Sequence, residues 1–214
     1  MSQPAAALAP WRGAERTADL CVLGGGLVLG LVASVVLLAT ALADADHRIV
    51  IGTAIYAGAL VAMLGCSLCY RAAIETRRRR FLRRLDHAAI FALIAGTATP
   101  FALMRPGFGG SALAGALWAI ATIGILAKLY RPIGSFGRSV GVYLLLGWAS
   151  LVALGPAASH DTVALVAAGG GLYSLGLLFL LWRRLPYRLA IWHAFVLAGA
   201  LCHYLAILTG VVGA

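Results

Sequence analysis

The chain has 214 residues, 62% hydrophobic and 11% charged, with a formal net charge of +10. A soluble domain of this length would need more charge and polar surface to cover its apolar residues. The positive balance does not point to nucleic acid, because no soluble basic region with interleaved aromatic residues is present to receive it.

Residues 1–16, which begin Ala- and Pro-rich, are expected to form a short cytoplasmic tail ahead of a single transmembrane domain over 17–214. Apolar stretches then recur, most of them about 18 to 26 residues long and able to cross a hydrocarbon core of about 30 Å as helices. They predict spans over 17–43, 50–70, 87–104, 110–129, 139–156, 161–182 and 190–212, an all-α integral membrane protein built as a seven-helix bundle. Ala41-Leu42-Ala43 offers a small-residue cleavage pattern. The apolar run before it exceeds the h-region of about 7 to 15 residues that a signal peptide carries, so the first helix is expected to be retained. The longest connector, Arg71 to Leu85, is mostly charged and has helical propensity.

Charge sets the orientation. Arg12 and Arg16 precede the first span, and Arg71, Arg77 to Arg80, Arg83 and Arg84 lie between the second and third. Lys128, Arg131 and Arg138 lie between the fourth and fifth, and Arg183, Arg184 and Arg188 between the sixth and seventh, leaving only Arg48 and Arg105 on the other side. The excess predicts a cytoplasmic amino terminus and an outside carboxyl terminus in the cell's inner membrane. The Arg77 to Arg84 run is expected to meet anionic lipid headgroups.

Glycines gather inside the spans, at Gly24 to Gly26 with Gly30 and at Gly169 to Gly171 with Gly176. In lipid such residues let helices approach closely, so packing roles are expected. Cys21, Cys66, Cys69 and Cys202 fall within spans, and the lone CxxC of Cys66 and Cys69 predicts buried small residues rather than a metal or redox site. His87 is expected at the interface and His47 and His160 on outer connectors, while His203 should bond a neighbouring helix. Trp118, Trp148, Trp182 and Trp192 read as core or interfacial aromatics.

The polar residues of the spans carry the site expectation, because each needs a partner or a wet pocket. Glu15 and Asp19 open the first span, Ser67 and Arg71 close the second, Asp86 and His87 open the third, and His193 lies near the start of the seventh. All of them fall at the cytoplasmic end and predict a polar pocket there.

The run Leu85-Asp86-His87-Ala88-Ala89-Ile90-Phe91, continuing to Thr97-Ala98-Thr99-Pro100-Phe101, resembles the third-helix signature of the hemolysin III family. That family is the bacterial branch of the progestin and adiponectin receptor superfamily. Leu185-Pro186-Tyr187, Ala190-Ile191-Trp192-His193 and Cys202-His203 resemble its seventh helix, with weaker echoes at Tyr143 to Trp148 and Gly171 to Gly176. The resemblance implies seven spans and a zinc ion near the cytoplasmic face, held by one histidine of helix 2 and a His-x-x-x-His pair of helix 7. In the wider superfamily such sites are linked to hydrolysis of lipid amides.

This chain departs from that pattern at the ligands. The helix 2 histidine position is Arg71, the first histidine of the helix 7 pair is Leu189, and helix 1 has lost its serine and histidine within Glu15 to Leu23. Glu15, Ser67, Asp86 and His193 remain recognisable. Catalytic zinc needs about three protein ligands, and a guanidinium about 5 Å from a divalent cation costs on the order of 6 kcal/mol at an effective dielectric of about 20. No cofactor is therefore expected, with zinc, iron or manganese on Asp19, Asp86 and His193 as the alternative. Arg71 is expected to face Asp86, with Asp19 as a second carboxylate, and an Arg71 to Asp86 ion pair, assisted by His193, to replace the metal as the tie between helices 2, 3 and 7. The alternative is that Arg71 reaches to the headgroups with its loop neighbours. The expected function is a hemolysin III-like protein without a working zinc site, in membrane homeostasis or a lipid-linked role. A metal-dependent hydrolase of lipid amides and a pore or permeability factor are the alternatives.

Overall fold

A computed structural model describes residues 10–43, 46–74, 76–130, 136–156 and 158–213. Seven α-helices run in order: α1 (Pro10–Ala43), α2 (His47–Ala72), α3 (Thr76–Met104), α4 (Phe108–Tyr130), α5 (Phe136–Ala149), α6 (His160–Leu181) and α7 (Arg188–Ile207). A 3-10 segment, Ser150–Leu154, prolongs α5, and a π turn, Leu208–Val212, ends α7. No strand occurs among the described residues.

Six of these helices are long and apolar enough to cross a membrane. The exception is α5, whose 14 α-helical residues fall short of a span. Gly155, at φ 72°, and Pro156, the last two residues of the span expected over 139–156, follow the end of the 3-10 segment at Leu154. Two helices begin more than a turn ahead of their apolar runs. α1 starts at Pro10, so the part of the expected tail from residue 10 onward is helical, and residues 1–9 lie outside the described set. α3 starts at Thr76, because the arginine-rich connector continues the helix instead of looping.

Packing follows the small residues. α2 lies between α1 and α3, α4 packs on α3, and α7 joins α1 to α6. The most enclosed span window belongs to α3, at 67% buried, and the least to α4, at 17%, so α3 forms the middle of the bundle. A Cβ on Gly52 would stand 2.8 Å from the Pro100 backbone, so glycine permits the α2 to α3 approach there. Gly169 and Gly199 face one another across α6 and α7 in the same way. Gly26, Gly30, Gly169 and Gly176 each meet a neighbouring helix, whereas Gly24, Gly25 and Gly171 face open space. The packing expectation thus describes part of each glycine cluster.

Two threonines inside the bundle are satisfied locally. The Thr97 and Thr99 hydroxyls donate to carbonyls one turn back, at Leu93 and Ala95, just ahead of Pro100, which supplies no amide hydrogen. At the end remote from most of the arginines, Asp46 caps α2 by accepting from the Arg48 amide at 2.8 Å. The Arg48 side chain also bonds this carboxylate and holds Asp46 below the ordinary carboxylate range.

Candidate functional site: a carboxylate shared by arginine and histidine

Asp19 is fully buried in α1, about two turns into the helix. Arg71, in the last turn of α2, donates Nε–H to Asp19 Oδ2 at 2.5 Å. His193, just inside α7, donates Nδ1–H to Asp19 Oδ1, also at 2.5 Å. One carboxylate therefore joins three helices through both of its oxygens. Side-chain exposure is 1% for Asp19, 11% for His193 and 15% for Arg71, so the pair stands largely apart from bulk water. Charge-assisted bonds of this kind are the strong class, and desolvation raises the cost of losing either partner.

A second pair sits beside the first. Ser67, one turn before Arg71 on α2, donates its hydroxyl to Asp86 Oδ1 of α3. Arg71 thus takes Asp19, not Asp86, which corrects the expected ion pair. The physical reason is the position of α2 between α1 and α3: Ser67 and Arg71 are one turn apart yet reach opposite neighbours. The resulting tie joins α1, α2 and α7, while α3 is held by the serine.

Backbone contacts from the start of α1 close this end of the bundle. Arg16 donates to the Ala72 carbonyl at 2.9 Å, capping the C-terminus of α2. Glu15 accepts the Tyr187 amide at 2.9 Å, where Tyr187 adopts φ 55° immediately before α7. Glu15 is therefore near the cluster in sequence but bonds the connector rather than the buried pair. The Arg71 guanidinium also lies 5.8 Å from the Tyr70 ring centroid, and Arg79 lies 5.5 Å from the same ring. Sequence reasoning missed Tyr70; its position beside Arg71 and nine residues before Arg79 was the available signal.

The other singled-out residues lie elsewhere. His203 donates from Nε2 to the Val166 carbonyl of α6 at 3.2 Å and packs against Tyr173 with ring centroids 5.5 Å apart, as a helix-to-helix bond. The backbone carbonyl of His87 accepts from Tyr143 at 2.9 Å. His47 and His160 are exposed at the starts of α2 and α6. Cys69 is exposed and Cys66 only partly buried, which corrects their expected burial; Cys21 is exposed, Cys202 partly so, and none of the four is disulfide-bonded. Among the described residues no three His, Cys, Asp or Glu side chains converge as a ligand set for a metal ion.

Apolar helices of spanning length around an enclosed polar cluster define an all-α, multi-pass integral membrane protein. The family model for haemolysin-III related proteins matches residues 23–204. Hemolysin-3 of Bacillus cereus is 32% identical over 199 residues, 91% of this chain and 90% of that protein. The hemolysin-3 homolog of Bacillus subtilis (strain 168) is 31% identical, over 91% of this chain and 93% of its own. The chain belongs to the hemolysin III family.

Proposed function

We propose that this is a seven-span hemolysin III protein of the inner membrane that works without a catalytic metal, in membrane homeostasis or another lipid-linked role. The observation that carries this reading is the engagement of both Asp19 oxygens, by Arg71 on one side and His193 on the other. A metal would have to displace a permanent cation to use that carboxylate, and Asp86 is already bonded to Ser67. The donor set therefore fits an ion pair and does not fit zinc, iron or manganese held by Asp19, Asp86 and His193.

Seven spans follow if α5 and its 3-10 extension cross together. Fourteen α-helical and five 3-10 residues reach about 31 Å, the thickness of the hydrocarbon core. An odd number of crossings puts the termini on opposite sides, and the basic connectors put the amino terminus in the cytoplasm. The Arg77 to Arg84 run then faces the anionic cytoplasmic leaflet.

The test is an assay of the purified protein on lipid amides and esters, with and without added zinc. The expected result is no turnover above the detergent blank in either condition. Zinc-dependent turnover that disappears in Asp19→Asn, Asp86→Asn and His193→Ala variants would overturn the reading in favour of a hydrolase with a rearranged ligand set.

A further inference from the structure

The six arginines between Arg77 and Arg84 shape two open clefts at the start of α3. One, of about 270 Å³, is lined by Tyr70, Arg79, Arg80 and Arg83. The other, of about 260 Å³, is lined by Arg77, Arg80, Phe81 and Arg84. Arg80 is common to both, so a single guanidinium borders two adjoining basic recesses.

These arginines are not neutralised by carboxylates among the described residues, where the ion pairs involve only Asp19 and Asp46. Their charges repel at i, i+4 spacing and sit at the positive end of the helix dipole, and the first turn of α3 carries no acidic residue of its own. Two of the lining side chains are nevertheless held in place. Arg79 stacks over Tyr70, and Arg84 donates to the Leu129 carbonyl of α4 at 2.8 Å. A pre-positioned guanidinium loses less freedom on binding a phosphate than a free one, and its fork suits phosphate oxygens.

Helix length sets the depth of the clefts. The candidate span Arg77–Met104 has 28 residues, about 42 Å of helix, against a hydrocarbon core of about 30 Å. The surplus of about 12 Å places Arg77 to Arg84 in the headgroup layer when the apolar part of α3 fills the core. Phe81, 58% exposed and lining the second cleft, offers an apolar contact that acyl or glycerol carbons would use and a free phosphate ion would not.

We propose that the two arginine clefts form one binding site for a phospholipid headgroup carrying two phosphates, one phosphate in each cleft and Arg80 between them. This deepens the lipid-linked reading above and requires only that the chain lie in a bilayer. It does not depend on whether a metal binds at Asp19.

The experiment is native mass spectrometry of the detergent-solubilised full chain, titrated with diphosphatidylglycerol, phosphatidylglycerol or phosphatidylcholine. One diphosphatidylglycerol should be retained per chain, at least about tenfold more tightly than phosphatidylglycerol. Arg80→Gln should remove most of that preference while leaving the lipid-free melting temperature unchanged. Arg78→Gln removes the same charge from a side chain that lines neither cleft, and should retain the preference. Equal retention of the one- and two-phosphate lipids, or equal losses in the two variants, would reduce the run to diffuse charge attraction and overturn the proposal. Displacement of the lipid by millimolar inorganic phosphate or pyrophosphate would also overturn it, assigning the clefts to a soluble anion.

Discussion

A carboxylate buried to 1% exposure with a cation on one oxygen and an imidazole on the other is most sensitive to losing the cation. Arg71→Leu should destabilise the protein by about 3 to 5 kcal/mol, because Asp19 keeps its burial and loses its countercharge. His203→Leu gives up a single hydrogen bond to a carbonyl and should cost about 0.5 to 1.5 kcal/mol. Adding Asp19→Asn to Arg71→Leu should recover part of the larger loss, since the stranded charge is then gone. Melting of the four proteins in one detergent checks the order, and equal melting temperatures for Arg71→Leu and His203→Leu would contradict it. At this scale the sequence was informative about which polar residues gather, because Asp19, Ser67, Arg71, Asp86 and His193 all open or close apolar runs. The pairing expected from it, Arg71 with Asp86, was wrong. Asp19 and Asp86 are both acidic residues at the same end, and only the place of α2 between α1 and α3 decides which one Arg71 reaches.

Helix packing depends on which glycine of a cluster faces a neighbour. A Cβ on Gly169 would lie 2.5 Å from the His203 ring and 3.0 Å from the Gly199 carbonyl oxygen, whereas one on Gly171 meets nothing within 4 Å. Gly169→Ala should therefore cost about 1 to 3 kcal/mol through overpacking. Gly171→Ala should be neutral or gain up to about 1 kcal/mol from helix propensity. Thermal unfolding of the two variants distinguishes them, and similar losses would mean that α6 and α7 are not packed as described. The apolar runs located all seven helices, since a run of spanning length has few other folds available in lipid. They misplaced the starts of α1 and α3, where charged residues continue a helix beyond the apolar part. They also concealed the 3-10 end of α5, where Gly155 and Pro156 close a segment whose hydropathy alone reads as uninterrupted.

Across the whole molecule, crossing number and charge asymmetry have to agree. A seven-span bundle with its basic connectors inside requires the carboxyl terminus to be outside, so a periplasm-active reporter fused after Ala214 should be active and a cytoplasm-active one silent. The reverse pattern would mean that α5 does not cross. Family membership was legible in the runs around Asp86 and His193, and the family match over 23–204 agrees with it. The pairing behind the proposed metal-free site was not legible from resemblance alone, because it depends on which carboxylate the Arg71 guanidinium reaches, and that is a property of the folded bundle. In the proposed function a side-chain cation takes the place of a metal ion. Elemental analysis of protein purified without chelator tests it most directly: zinc, iron and manganese should all be substoichiometric, and one equivalent of any of them per chain, lost on Asp19→Asn or His193→Ala, would contradict it.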